Sequence, residues 1–126
     1  MSKKRSQIWG NHLSNPPMNK TPFFCAGRDV QGIPMADQIL LPFDIWTNRA
    51  HCIMLTSRKL LRNCLKKILT SLGKLENLVE EGNFSLDPEK EDVHINVEDF
   101  VTEDQGTDAG GRMHIGRSRN DQTHVI

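Results

Sequence analysis

Six aliphatic residues, Leu61, Leu65, Ile68, Leu72, Leu75 and Val79, follow one another at alternating steps of four and three. That spacing keeps them on one face of a helix, and a seam of this kind packs lengthwise against other helices. A strand cannot present it, because strand side chains change face at every residue. The segments on either side agree. Pro42-Phe43-Asp44 reads as a helix entrance with Asp44 as N-cap, and beyond it Trp46, Ala50, Ile53 and Ser57 recur at helical spacing. A turn is expected near residues 59–63, although no Gly or Pro marks it. A further amphipathic stretch runs from about Glu91 to Asp104, with Val93, Val97, Phe100 and Val101 on one side. Its first residues are acidic (Glu89, Glu91, Asp92), which suits the positive end of a helix dipole. Gly82 and Gly106 stand where helices stop. No run reads as a strand, so the fold class is all-α.

The first 42 residues read as largely irregular, because Pro16-Pro17, Pro22, Gly27, Gly32 and Pro34 recur too closely for a long helix. Within them Phe23-Phe24-Cys25-Ala26 is an apolar patch expected to dock onto the helices. Leu, Ile, Val and Phe supply 32 of 126 residues, above the level that marks disorder but lean for a self-contained core.

Net charge is zero, which argues against a strongly basic nucleic-acid binder or an acidic tail protein. The balance hides a division. Residues 1–74 carry 12 Lys/Arg against 3 Asp/Glu, and residues 75–126 carry 4 against 13. Three cysteines (Cys25, Cys52, Cys64) without a Cys-x-x-Cys pair support neither a disulfide framework nor a zinc site. The basic start, Lys3-Lys4-Arg5, leads into polar residues rather than an apolar signal core, and no run approaches the roughly 20 apolar residues of a spanning helix. These features read as a cytoplasmic chain with no membrane partner.

The segment from Gly110 to Gln122 is the candidate site. Glycines 110, 111 and 116 are expected to bracket a loop holding Arg112, His114, Arg117, Ser118, Arg119 and Asn120. Glycine lets backbone N–H groups approach a ligand, and the arginine fork matches a carboxylate or phosphate. A helix beginning near Asp121 would add N-terminal donors. No aromatics interleave with the arginines, so a small carboxylate fits better than nucleic acid. The plain alternative is that the arginines pair with the 12 acids of residues 76–108. His94 and Glu98, four apart, read from spacing alone as an exposed helix pair or as part of an incomplete metal site. His51 reads as a packed helix histidine.

Arg112-Met113-His114-Ile115-Gly116-Arg117-Ser118-Arg119-Asn120-Asp121-Gln122 resembles the signature loop of argininosuccinate lyases and the related δ-crystallins. The resemblance extends to Ile8-Trp9-Gly10, to Phe24–Val30, to Leu41–His51 and to Glu91–Glu98. Four residues depart from the family pattern: Ile115 stands where the family has Thr, Asn11-His12 where it has Gly-Arg, and Lys59 where a Gly follows the first helix; Gly27, where other branches have a substrate-contacting Ser, fits the microbial branch.

The resemblance implies the N-terminal helical domain of the fumarase/aspartase-type lyase fold over residues 1–109. Residues 110–126 would form the signature loop and the start of the central long-helix bundle. It implies cleavage of argininosuccinate to arginine and fumarate without metal or organic cofactor, in a homotetramer. Ser118, Arg119 and Asn120 are then substrate-binding residues, Arg117 a further one, and His94 an active-site lining residue. The family's catalytic histidine region and mobile serine loop lie downstream in its members, so this chain is expected to be inactive alone. The competing expectation is a non-catalytic helical module that binds a carboxylate ligand or a lyase partner.

Overall fold

A computed structural model describes residues 35–61, 63–90, 92–118 and 120. Among them are four α-helices, α1 (Leu41–Ser57), α2 (Leu65–Glu80), α3 (Val93–Gln105) and α4 (Thr107–Arg112), with 3-10 turns at Ala36–Leu40 and Pro88–Lys90 and no strand. The fold is all-α. The patch at residues 23–26, the Trp-Gly motif and Asn11-His12 lie outside the described residues.

Five of the six residues of the aliphatic seam lie on α2, whereas Leu61 belongs to the turn before it. Leu61, Ile68, Leu72 and Leu75 are buried, and α2 packs between α1 and α3. Leu41, Ile45, Cys52 and Leu55 come from α1, and Val93, Val97 and Val101 from α3. Ala109 and Met113 close the far end of the core. Phe84 meets Phe100 edge to face at 5.8 Å over the connector. The two oppositely charged halves meet in ion pairs, Arg49 with Glu76 at 2.6 Å and Lys74 with Asp104 at 2.8 Å.

Two helices end in the same motif with different residues. At the end of α2 the N–H of Gly82 bonds Val79 O and that of Asn83 bonds Leu78 O, with Gly82 at φ 72°. At the end of α1 the N–H of Lys59 bonds Thr56 O and that of Leu60 bonds Leu55 O, with Lys59 at φ 61°. Both are Schellman ends, in which the residue after the cap takes left-handed backbone. Lys59 therefore occupies a conformation that suits glycine. Asn63, also left-handed at φ 64°, completes the expected turn. The start of α3 is capped by Asp92, whose Oδ1 accepts from Ile95 N at 2.8 Å.

Two expectations need correction. Asp44 is no N-cap: α1 starts at Leu41 with Pro42 in its first turn, and Asp44 lies inside the helix, fully buried. The 3-10 turn feeds straight into α1, so no side chain caps its start. Trp46, Ala50, Ile53 and Ser57 share one face of α1 as their spacing requires, and that face points outward, with Trp46 66 % and Ile53 55 % exposed. The inward face is Leu41, Asp44, Ile45, Asn48, Cys52 and Leu55. Finally, Gly110 and Gly111 belong to α4, so the loop starts at Met113. Gly110 is where α4 meets α3: a Cβ there would lie 1.9 Å from Thr102 Oγ1 and 3.0 Å from Thr102 Cα.

Candidate functional site

α1 turns two polar residues inward one helical turn apart, and this pair organises the site. Asn48 Nδ2 donates to Asp44 Oδ2 at 2.9 Å and to the Asp44 carbonyl at 2.9 Å. Both residues are fully buried, and buried polar groups are tolerated only when paired. The partners come from the other elements. From α3, His94 places Nδ1 2.6 Å from Asp44 Oδ1. From the loop, Arg117 Nη2 donates to Asn48 Oδ1.

The same guanidinium nitrogen lies 2.9 Å from His114 Nδ1. Because Arg can only donate, that nitrogen is the acceptor, and the His114 proton sits on Nε2. Nε2 faces Glu98 Oε2 at 3.4 Å, a long contact between the ring N–H and the carboxylate. His51 adds a second tether from α1: its Nε2 is 2.9 Å from the Ile115 carbonyl, which can only accept. Two helices thus hold the loop at three points.

Burial and the nearby Arg117 act in opposite senses on Cys52, under the loop. Burial is the larger influence and pushes the thiol from its ordinary value of 9.0 up to about 11, so it stays protonated and inert at neutral pH. Loss of water around the carboxyl likewise raises Asp37 above its ordinary value, against the hydrogen bond it accepts from Val93 N.

The sequence-selected residues fall into three groups. Arg117 and His94 come together on the buried α1 pair. Ser118 and Asn120 lie on the exposed stretch that follows, where Ser118 Oγ accepts from Asn120 N at 3.0 Å. Arg119 and the segment from Asp121 onward lie outside the described residues. The pairing of arginines with upstream acids holds for Arg112, whose Nε meets Asp108 Oδ1 at 2.6 Å. That guanidinium, with Cys64 as a weaker donor, holds the Asp108 carboxyl below the usual range. His94 and Glu98 do not pair with each other: each turns to a different partner. Asp44 and Asn48 escaped the sequence reading as site residues. The signal available was their i, i+4 repeat in phase with Leu41, Ile45 and Cys52.

Among the described residues no group of three or more His, Cys, Asp or Glu side chains is placed to hold a metal ion. No described helix is long and apolar enough to cross a membrane. An open groove of about 630 Å³ lies elsewhere, on the outward face of α1, lined by Phe43, Trp46, Thr47, Arg49, Ala50 and Ile53.

No protein-family model matches the chain. Its curated homologues are argininosuccinate lyases. The chain is 45 % identical over 89 residues to the argininosuccinate lyase of Methanocorpusculum labreanum, covering 69 % of this chain and 18 % of that one. To that of Corynebacterium diphtheriae it is 40 % identical over 120 residues, covering 94 % and 24 %. To that of Mycobacterium avium it is 32 % identical over 127 aligned positions, covering 100 % and 26 %. The chain therefore spans between a sixth and about a quarter of the length of the relatives it matches.

Proposed function

With argininosuccinate lyases as its homologues, we propose that this chain supplies part of the substrate site for the reversible elimination of argininosuccinate to arginine and fumarate. The observation that carries the reading is the fixing of the loop: Arg117 on Asn48, and the Ile115 carbonyl on His51. Elimination of this kind removes a proton next to a carboxylate, builds up a carbanion delocalised into that carboxylate, and breaks a C–N bond. Stabilising it needs cationic and N–H donors already in place before charge develops. Ser118, Arg119 and Asn120 bind the substrate carboxylates in this reading, and Arg117 holds the loop and adds positive charge. His94, turned by Asp44, lines the site. Residues 1–109 form the helical domain, and residues 110–126 carry the loop into the central bundle of a cytoplasmic homotetramer.

In this reading the proton-abstracting group comes from lyase sequence outside these 126 residues. The purified chain is thus expected to release no fumarate, followed by ultraviolet absorbance. Mixed with a full-length lyase inactivated in its own signature loop, it is expected to restore part of the activity. Turnover by the chain alone would show the base to be misplaced. The outward apolar face of α1, with Trp46 and Ile53 exposed, favours a second reading as a non-catalytic assembly module. Calorimetry separates the two. Binding of argininosuccinate or fumarate supports the lyase site, whereas no binding and no complementation leaves the assembly reading.

A further inference from the structure

We propose that Asp44 is the positioning residue of this site, one buried carboxylate that sets the ring tautomer of His94 and, through Asn48, the anchor of Arg117. A carboxylate only accepts. Its Oδ1, 2.6 Å from His94 Nδ1, therefore requires the proton on Nδ1, and the neutral ring presents Nε2 as its lone-pair nitrogen. Among the described residues that Nε2 has no hydrogen-bond partner. The second carboxylate oxygen, Oδ2, takes the Asn48 Nδ2 proton at 2.9 Å, and this turns the Asn48 amide so that its Oδ1 faces Arg117 Nη2. An amide turned the other way would set Nδ2 against the guanidinium, donor against donor. The three elements of the site, α1, α3 and the loop, thus take their polar register from one side chain. Its 0 % exposure keeps water from substituting for it.

The inference makes an uncommon demand on Asp44→Asn. The carboxylate has two acceptor oxygens and both are used, while an asparagine has one oxygen and one NH2. If the new NH2 faces His94, the ring must move its proton to Nε2. If it faces Asn48, that amide must flip and release Arg117. Either the ring tautomer or the Arg117 anchor has to change. The reciprocal exchange, Asp44→Asn with Asn48→Asp, gives up the bond to the residue-44 carbonyl but restores a donor–acceptor match at each of the three side-chain contacts. The new amide at position 44 then donates to the new carboxylate at position 48 and accepts from His94 Nδ1. That carboxylate in turn accepts from Arg117.

Only the consequence for turnover rests on the lyase reading; the placement itself is read without activity. The experiment is nitrogen NMR of the His94 ring and the Arg117 guanidinium in the full 126-residue chain, with far-UV circular dichroism to check folding. Wild type is expected to show His94 protonated at Nδ1 and a slowly exchanging Arg117 side-chain signal. Asp44→Asn is expected either to exchange the two ring resonances or to lose the Arg117 signal, and the double exchange to restore both. Asp44→Asn with neither change, in a folded chain, overturns the proposal. If the single variant unfolds, the double exchange decides: recovery of the wild-type pattern supports the assignment, and failure to recover it refutes it. A merely structural role would lower stability without altering the ring pattern.

Discussion

Adjacent glycines in α4 should respond to the same substitution with opposite sign. In a helix interior alanine is favoured over glycine by up to about 1 kcal/mol, so propensity alone predicts that both Gly110→Ala and Gly111→Ala stabilise. The surroundings differ. A Cβ on Gly111 meets nothing within 4 Å, so that gain is expected in full or in part. On Gly110 a Cβ would lie 1.9 Å from Thr102 Oγ1, 2.9 Å from Thr102 Cβ and 3.0 Å from Thr102 Cα. Rotation about χ1 can move the hydroxyl but not the Cβ or Cα. Relief therefore requires α3 and α4 to separate, and forced overpacking of this kind costs about 1–3 kcal/mol. The net expectation is destabilisation by up to about 2 kcal/mol for Gly110→Ala, against a gain of up to about 1 kcal/mol for Gly111→Ala. Urea unfolding followed by circular dichroism, with unchanged m-values, reads both. Adding Thr102→Ala should recover part of the loss, since it removes the worst overlap and leaves the Cβ contact. Gly110→Ala as stable as wild type would refute the tight α3–α4 junction.

Replacing Lys59 by Gly should stabilise the chain by about 1 kcal/mol, because a left-handed residue with a Cβ is strained by about 1–2 kcal/mol and glycine returns part of that as unfolded-state entropy. Gly82→Ala, at the matching position of α2, should destabilise by a similar amount, and urea midpoints check the pair. Asp92→Ala should cost about 1 kcal/mol through loss of the α3 N-cap, measured the same way. For Cys52, a thiol pushed from 9.0 to about 11 means that the folded state binds the proton more tightly. Its contribution is complete below pH 9 and falls by about 2–3 kcal/mol as pH rises to about 11, and Cys52→Ala should flatten that part of the stability–pH profile.

The parts of the fold written in local chemistry were legible in the sequence. The α2 seam from Leu65 on, the acidic approach to α3 and the glycine stops at 82 and 106 each depend on neighbours within a turn or two. What was not legible depends on partners far along the chain. Asp44 looked like a cap because an acid after Pro is a common helix entrance. Its partner in the structure is His94, fifty residues on, which no spacing reveals. α1 is apolar on two sides, with Ile45 and Leu55 on one and Trp46 and Ile53 on the other, so periodicity could not choose the buried face. Gly110 and Gly111 read as loop residues because glycine normally weakens helices. Only the approach of Thr102 accounts for the one at 110. In the site, Arg117 and His114 were legible from the make-up of the loop and His94 by resemblance, whereas Asn48 matters for contacts made across elements.

The departure at Ile115 bears differently on the loop's position and on what the loop can bind. The tether to α1 at this residue runs from His51 to the Ile115 backbone carbonyl, so any L-residue at 115 preserves it. The remaining tethers, Arg117 on Asn48 and His114 facing Glu98, together with Met113 fully buried in the core, do not involve the side chain of residue 115. The Ile115 side chain is 37 % exposed, outside the closest packing. Position 115 is thus free to vary without moving Ser118 or Asn120. What isoleucine removes is a hydroxyl that threonine would offer to a ligand, worth about 0.5–1.5 kcal/mol for a neutral hydrogen bond. The scaffold that aims the loop is separable from the set of donors the loop presents. A loop fixed in this way can keep its position while the donors it offers to a ligand change one residue at a time.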